Sequence, residues 1–302
     1  MVTSTGSGLA VPDWPLSYGS LFPPMVGGVF YEHSHRMAAA AVGFLMLCLA
    51  IWLGLKEKRK WVRICGFTAL GAVIAQGILG GLTVKFFLPK PVSIAHGILA
   101  QTFFILTIIL AYSQSEERKV REEMKVSKGN PDFIKLSLLV SLLIYIQLIL
   151  GALMRHTGSG LAIPDFPTMG GSWIPSFDEK MVSRINVWRF MQDLEPVTKI
   201  QVLIHFFHRL WALIITIAAC ILVFTGLKYH SQDKKIRQTI FWLASLIIIQ
   251  LSLGIMTVLT QKSPVITSLH VVTGAVVLGI SVLLCLRASP IQWKEFRRIE
   301  IK

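Results

Sequence analysis

Seven long apolar runs divide the chain, at residues of about 33–55, 61–84, 92–113, 133–154, 200–227, 239–260 and 265–286. Each is long enough for a helix that crosses the hydrocarbon core, which takes about 20 residues. None shows the strict apolar–polar alternation of a half-buried strand. The pattern therefore predicts an all-α, polytopic membrane protein with seven spans.

The polar segments between the runs fall into two kinds. Lys56-Glu57-Lys58-Arg59-Lys60, the segment 114–132 with Arg118, Lys119, Arg121, Lys125 and Lys128, the loop 228–237, and the tail with Lys294, Arg297 and Arg298 are rich in basic residues. They alternate with the Gly/Pro-rich loop 1–32, the short turn 85–91 and the long loop 155–199. Basic loops on one side mark the cytoplasmic face, so the Gly/Pro-rich loops face outward. Composition agrees: 53% of residues are hydrophobic and 15% charged, and the mean hydropathy is +0.63. The net charge of +14 belongs to those loops and not to a nucleic-acid surface. Cys48, Cys65, Cys220 and Cys285 all sit in apolar runs, with no disulfide or zinc spacing, and read as small core residues.

The chain repeats itself. Thr5-Gly6-Ser7-Gly8-Leu9-Ala10-Val11-Pro12-Asp13-Trp14-Pro15 recurs as Thr157-Gly158-Ser159-Gly160-Leu161-Ala162-Ile163-Pro164-Asp165-Phe166-Pro167, an offset of 152 residues. His35-Arg36 recurs as His208-Arg209 at 173, Gln76…Gly80 as Gln250…Gly254 at 174, and His96 as His270 at 174. The jump from 152 to 173 places an insertion in the second outer loop. The second loop motif follows a span and the first follows only Met1 and Val2. The expected architecture is two tandem four-helix bundles in parallel repeat, residues 1–126 and 127–302, with the first helix of the first bundle missing.

Two polar boxes open apolar runs: Glu32-His33-Ser34-His35-Arg36 and His205-Phe206-Phe207-His208-Arg209. Ionisable groups at span depth are costly and are functional by default. Of eight histidines, the repeat pairs His35 with His208 and His96 with His270. All four begin spans that enter from the outer side, so their depths are similar. Two imidazoles on different helices of one bundle can ligate a haem iron from both faces, whereas zinc wants more ligands, or softer ones, in one cluster. His33 and His230 read as interhelical hydrogen bonders. His156 lies in a Gly-rich loop. His205, at the position of Glu32, is a second-layer partner, an alternative ligand or part of an access path. Arg36 and Arg209 suit a haem propionate, or Asp13 and Asp165, as bidentate partners; snorkelling to the interface explains them equally well. The glycine-rich loops can hold propionates with N–H groups or can serve only as tight turns. Glu32, one turn before His35, suits proton transfer or stabilisation of charge at the macrocycle rim. A helix N-terminal acid favoured by the dipole is the bland reading.

These loops and boxes, with the Gln76-Gly77 and Gln250 helices and His96, His208 and His270, resemble the haem A synthase family (the Cox15/CtaA family) over nearly the whole chain. The resemblance implies oxidation of the C8 methyl group of haem O to a formyl group, giving haem A for terminal oxidases. It implies a haem b cofactor on His208 and His270, substrate haem O on His35 and His96, and Glu32 as the essential acid. Lateral entry of haem O from lipid, or from a partner haem O synthase (a farnesyltransferase), goes with that reading, as does a site in the cell membrane facing the extracytoplasmic side. The sequence departs from the family in its absent first helix, in Val11 and Ser17 where many relatives carry a cysteine pair, and in His33 where an aromatic residue is expected. Two competitors remain: a non-catalytic dihaem b-type electron carrier, which gives Glu32 no purpose, and a transporter, which needs no porphyrin. The small residues Gly80, Gly81 and Gly254 imply close helix contacts, within a protomer or between protomers of a homo-oligomer. No residue pattern names the electron donor.

Overall fold

The computed structural model describes residue 2, residues 4–123 and residues 130–289. Seven helices are long and apolar enough to cross a membrane: α1 (Gly27–Lys56), α2 (Lys60–Lys85), α3 (Lys90–Gln114), α5 (Pro131–His156), α7 (Lys199–Tyr229), α8 (Lys234–Leu259) and α9 (Pro264–Ala288). Two shorter helices, α4 (Glu116–Glu123) and α6 (Glu179–Phe190), lie in the connector and in the second outer loop. No β-strand occurs among the described residues. The protein is an all-α, multi-pass membrane protein.

The helix starts follow local chemistry. Pro131 stands at the first turn of α5, and the Asn130 side chain accepts from the N–H groups of Asp132 and Phe133. Thr198 and Gln201 form a capping box at α7, and Asp233 caps α8. The first helix starts at Gly27, six residues before the start expected from the apolar run. The break in the chain is Pro23-Pro24, followed by Gly27 at φ +54°. The polar box 32–36 therefore lies inside α1 and not at its mouth.

Helices α5, α7, α8 and α9 close a ring in which α5 packs on α7, α7 on α8, α8 on α9 and α9 on α5. Helices α7 and α9 thus face each other diagonally. The first half repeats this order as an arc, α1 on α2 and α2 on α3, and α3 packs on α5 and α9 to join the halves. Phe133, Leu222, Leu243, Leu278 and Leu284 fill the second core, and Ala50, Leu53, Val62, Ala69 and Leu110 the first. At Gly226 an added Cβ would lie 2.3 Å from Ile240 Cδ1 and 2.8 Å from Phe133 Cε2, so only glycine lets α7 approach α5 and α8 there. Phe44, Leu55, Phe224 and Ile248 are exposed, as lipid-facing side chains must be. Cys48 and Cys220 are exposed too, so the core reading of the cysteines holds for Cys285, which is buried, and fails for these two. They lie on outward helix faces, where a small apolar side chain meets lipid.

At the end opposite the polar boxes, α4 clasps both halves. Glu117 binds Arg287 of α9 at 2.7 and 2.9 Å and Arg121 at 3.2 Å, while Arg121 binds Asp233 at 2.9 and 3.0 Å. Nearby, the Arg59 guanidinium holds the Glu57 carboxyl down at about 2. Lys125 and Lys128, the boundary expected at 126/127, and Lys294, Arg297 and Arg298 lie outside the described residues.

Because Glu117 and Arg287 are only partly exposed, their coupling should exceed that of a surface pair. A double-mutant cycle of Glu117→Gln and Arg287→Met in detergent should give about 1–3 kcal/mol. A coupling near zero would show that α4 merely rests on the bundle.

Candidate functional site

Each polar box ties an outer loop to its helix, and the two halves do this with matching residues. In the first half, Glu32 Oε2 accepts the Val11 N–H at 2.9 Å and Glu32 Oε1 accepts from Arg36 at 2.6 Å. In the second, His205 Nδ1 accepts the Ile163 N–H at 3.1 Å, and the Arg209 Nε atom lies 3.2 Å from His205 Nε2. Arg36 also donates to the carbonyls of Asp13, Leu16 and Val11 at 2.7, 2.7 and 3.2 Å. Arg209 donates to those of Asp165, Thr168 and Ile163 at 2.9, 3.3 and 2.9 Å. Glu32 and His205 are both buried.

This geometry corrects one expectation and sharpens another. The carboxylates of Asp13 and Asp165 are not the partners of Arg36 and Arg209; only their main-chain carbonyls are. Asp13 instead accepts the N–H groups of Tyr18 and Gly19, and those bonds hold its carboxyl below the usual range. Burial pushes Asp165 up, but the Thr168 hydroxyl and the N–H groups of Gly171 and Gly170 together outweigh it. The arginines do not snorkel, since most of the donors on each are spent inside the protein. At least one donor on each remains for a further acceptor. Gly6 and Gly158 sit at φ +69° and +71°, which assigns these loop glycines to the turn itself.

The four repeat-matched histidines share one end of the bundle. Each lies six to nine residues past its helix start, counting from Gly27, Lys90, Lys199 and Pro264. At 1.5 Å per residue their depths agree to within about 5 Å. His208 on α7 and His270 on α9 occupy diagonal helices of the ring, and His35 on α1 and His96 on α3 the two outer helices of the arc. His96, His208 and His270 are partly buried, while His35 is exposed.

Three of these rings lie in matching cradles. Gln76 of α2 donates its amide to the His96 carbonyl at 2.9 Å and comes within 3.3 Å of His96 Nε2. Gln147 of α5 donates to the His208 carbonyl at 3.0 Å and approaches His208 Nε2 at 3.3 Å. One helical turn on, a glycine makes room for the ring. A Cβ would lie 3.3 Å from the Cε1 atom of His96 at Gly80, 3.4 Å from that of His208 at Gly151 and 3.1 Å from that of His270 at Gly254. Gln250 completes the third cradle on α8. Gln76 and Gln250 stand out in the sequence repeat, but Gln147 does not, because its helix has no counterpart within residues 1–302. The spacing Gln-x-x-x-Gly, common to all three, could have found it.

The rest of the polar cast is structural. His33 is buried and hydrogen-bonds Ser17 Oγ through Nδ1 at 2.8 Å, a loop contact in place of the interhelical one expected. His230 stacks on Phe133 with centroids 4.6 Å apart, and its Nε2 has no partner among the described residues, so it too is not an interhelical hydrogen bonder. Burial lowers its pKa. His156 is the last residue of α5, and not part of the loop.

Among the described residues, no group of three or more His, Cys, Asp or Glu side chains surrounds a common point. A bare metal ion has no cage here. A porphyrin brings four nitrogens of its own and asks only for axial donors, which diagonal imidazole pairs can supply. The Nδ1 atoms of His96, His208 and His270 and the Oε1 atoms of Gln76, Gln147 and Gln250 are buried without partners. Orphaned polar atoms of this kind call for a ligand. The residues therefore fit an iron porphyrin.

The fold and the site define a class: a multi-pass helical membrane protein whose duplicated bundles present paired imidazoles near one face. Residues 26–282 match the COX15-CtaA family, described as cytochrome oxidase assembly protein, and the chain belongs to that family. It is 27% identical over 275 residues to a haem A synthase of Halalkalibacterium halodurans, covering 89% of this chain and 84% of that protein. It is 28% identical over 278 residues to one of Alkalihalophilus pseudofirmus, covering 89% and 84%. It is 27% identical over 281 residues to one of Rickettsia bellii, covering 90% and 79%.

Gly254→Leu should drive a side chain into His270 and lower the haem content, read as haem per mole of purified protein. Gly71→Leu, whose added carbon meets open space, is the control and should leave the content unchanged. Equal haem content in the two variants would rule out a role for the Gly254 cradle.

Proposed function

We propose that the protein is a haem A synthase, oxidising the C8 methyl group of haem O to a formyl group and so making haem A for terminal oxidases. The observation that carries this reading is the diagonal pairing of His208 with His270 and of His35 with His96, with buried unpartnered nitrogens on three of the four rings. The names of the relatives support it, and so does membership of a cytochrome oxidase assembly family.

In this proposal residues 127–302 retain haem b between His208 and His270, and residues 1–126 receive haem O between His35 and His96. An exposed His35 suits a porphyrin that arrives and leaves, whereas cradled His208 and His270 suit one that stays. When bound, the iron porphyrins supply the redox chemistry, which no side chain here can provide. The chain's own residues orient the substrate. His96 is fixed by Gln76, the arginines offer their remaining donors to propionates, and Glu32 sits one turn from His35. Conversion of methyl to formyl removes four electrons and adds one oxygen atom, so positive charge develops at the ring edge. The Glu32 carboxylate is the acidic group on the His35 helix able to oppose that charge or accept a proton. Lys56 at the end of α1, Lys60 at the start of α2 and Arg121 in α4, all remote from the histidines, support an orientation in the cell membrane with the histidine end extracytoplasmic. Haem O would enter from lipid or from a haem O synthase.

A dihaem electron carrier is favoured by one observation: both Glu32 oxygens are engaged in holding Val11 and Arg36. Two experiments decide. Pigment extracted from protein produced with a haem O source should contain haem A alongside haem b, and protein produced without that source should contain haem b alone. Haem b in both preparations and haem A in neither would establish the carrier. Glu32→His imports the second half's arrangement, in which an imidazole accepts the loop N–H. It should keep both haem spectra and lower haem A formation by about 100-fold or more. Unchanged formation would reduce Glu32 to a loop anchor.

A further inference from the structure

The three glutamines explain a feature that the histidines alone leave open. In the cradles of His96 and His208 one amide N–H is fixed on the histidine's own carbonyl, and the same amide nitrogen faces ring Nε2 at 3.3 Å. The Oε1 atoms of Gln76, Gln147 and Gln250 are buried without a partner. A ring nitrogen of the same histidine is likewise buried and unpartnered. Two orphans of opposite character in one cavity cost stability unless something uses them. An imidazole that gives one nitrogen to iron keeps its proton on the other, and that N–H needs an acceptor. Such acceptors fix the ring's orientation and raise its basicity as a ligand.

We propose that Gln76, Gln147 and Gln250 are positioning residues whose amides turn to accept, through Oε1, the imidazole N–H of His96, His208 and His270 when these ligate iron, and so set the ring orientation and reduction potential of the bound haem. The proposal rests on the haem reading above. It makes the Gln-x-x-x-Gly helix turn the unit of each site. The glutamine holds one side of the ring, and the glycine opens the space the ring occupies against the neighbouring helix. The pattern occurs on three different helices against three different histidines, which packing chance does not produce.

The test uses the purified full chain with its haem b, by potentiometric titration and low-spin EPR. Gln147→Leu and Gln250→Leu remove the acceptor, so the ligand donates less to ferric iron and the haem potential should rise. Gln147→Glu supplies a stronger acceptor, so the potential should fall below that of the native protein. Opposite shifts from Leu and Glu at one position are something a merely space-filling role would not produce. Unchanged potentials and g-values in haem-loaded variants would overturn the proposal. If the Leu variants lose haem, Gln147→Glu decides alone: haem at a lowered potential supports the proposal, and haem at the native potential, or no haem, overturns it. Native protein without a haem spectrum would instead sink the haem reading itself.

Discussion

A guanidinium buried at the outer end of a membrane helix must find acceptors within the protein, because neither lipid nor bulk water is there to supply them. Arg36 and Arg209 find theirs in the carbonyls of a loop that the chain folds back over the helix. That one demand shapes the outer face. The Pro-Asp turns exist to present three carbonyls each, and the positive-φ glycines close them. Glu32 or His205 then takes the one N–H that the turn leaves pointing inward. With the loops pinned, His208 lies one turn deeper and partly buried, while His35 stays exposed.

The duplication then does something a single bundle could not. The same backbone frame holds Glu32 in one half and His205 in the other, with the same loop N–H and the same arginine as partners. The frame tolerates the exchange because either side chain can accept the loop N–H at that spot while lying against the arginine. One half thereby carries a buried carboxylate one turn from its histidine while the other carries an imidazole there. The proposed division of labour between the halves needs no more than this substitution. Gln147, supplied by α5, gives the second half a cradle at both rings, and α3 seated on α5 and α9 joins the two halves.

Much of this was legible along the chain. Apolar runs placed all seven spans to within a few residues, because lipid imposes a length and a composition on any helix that crosses it. The repeat singled out His35, His96, His208 and His270, because identical residues at one offset survive where packing residues drift. The start of α1 was misplaced because charge inside a span looks like its end. Only the folded loop shows that Glu32 and Arg36 are satisfied there. The role of Arg36 and Arg209 was equally hidden, since main-chain carbonyls carry no residue-type signal. Helices α4 and α6 escaped notice because neither has an apolar face long enough to register.

The sequence by itself determined the class of the protein, the number of its spans, its internal symmetry and the identity of the paired imidazoles, since each of these is written in periodicity, hydropathy or recurrence. The tertiary structure alone decided which helices stand diagonally, that a glutamine and a glycine from a neighbouring helix frame each of three rings, and that the loops are clamped through backbone atoms. The reason is physical. Composition and spacing act within one segment, whereas a cradle is made of atoms that meet only when separate helices pack, and the sequence does not record which neighbours meet.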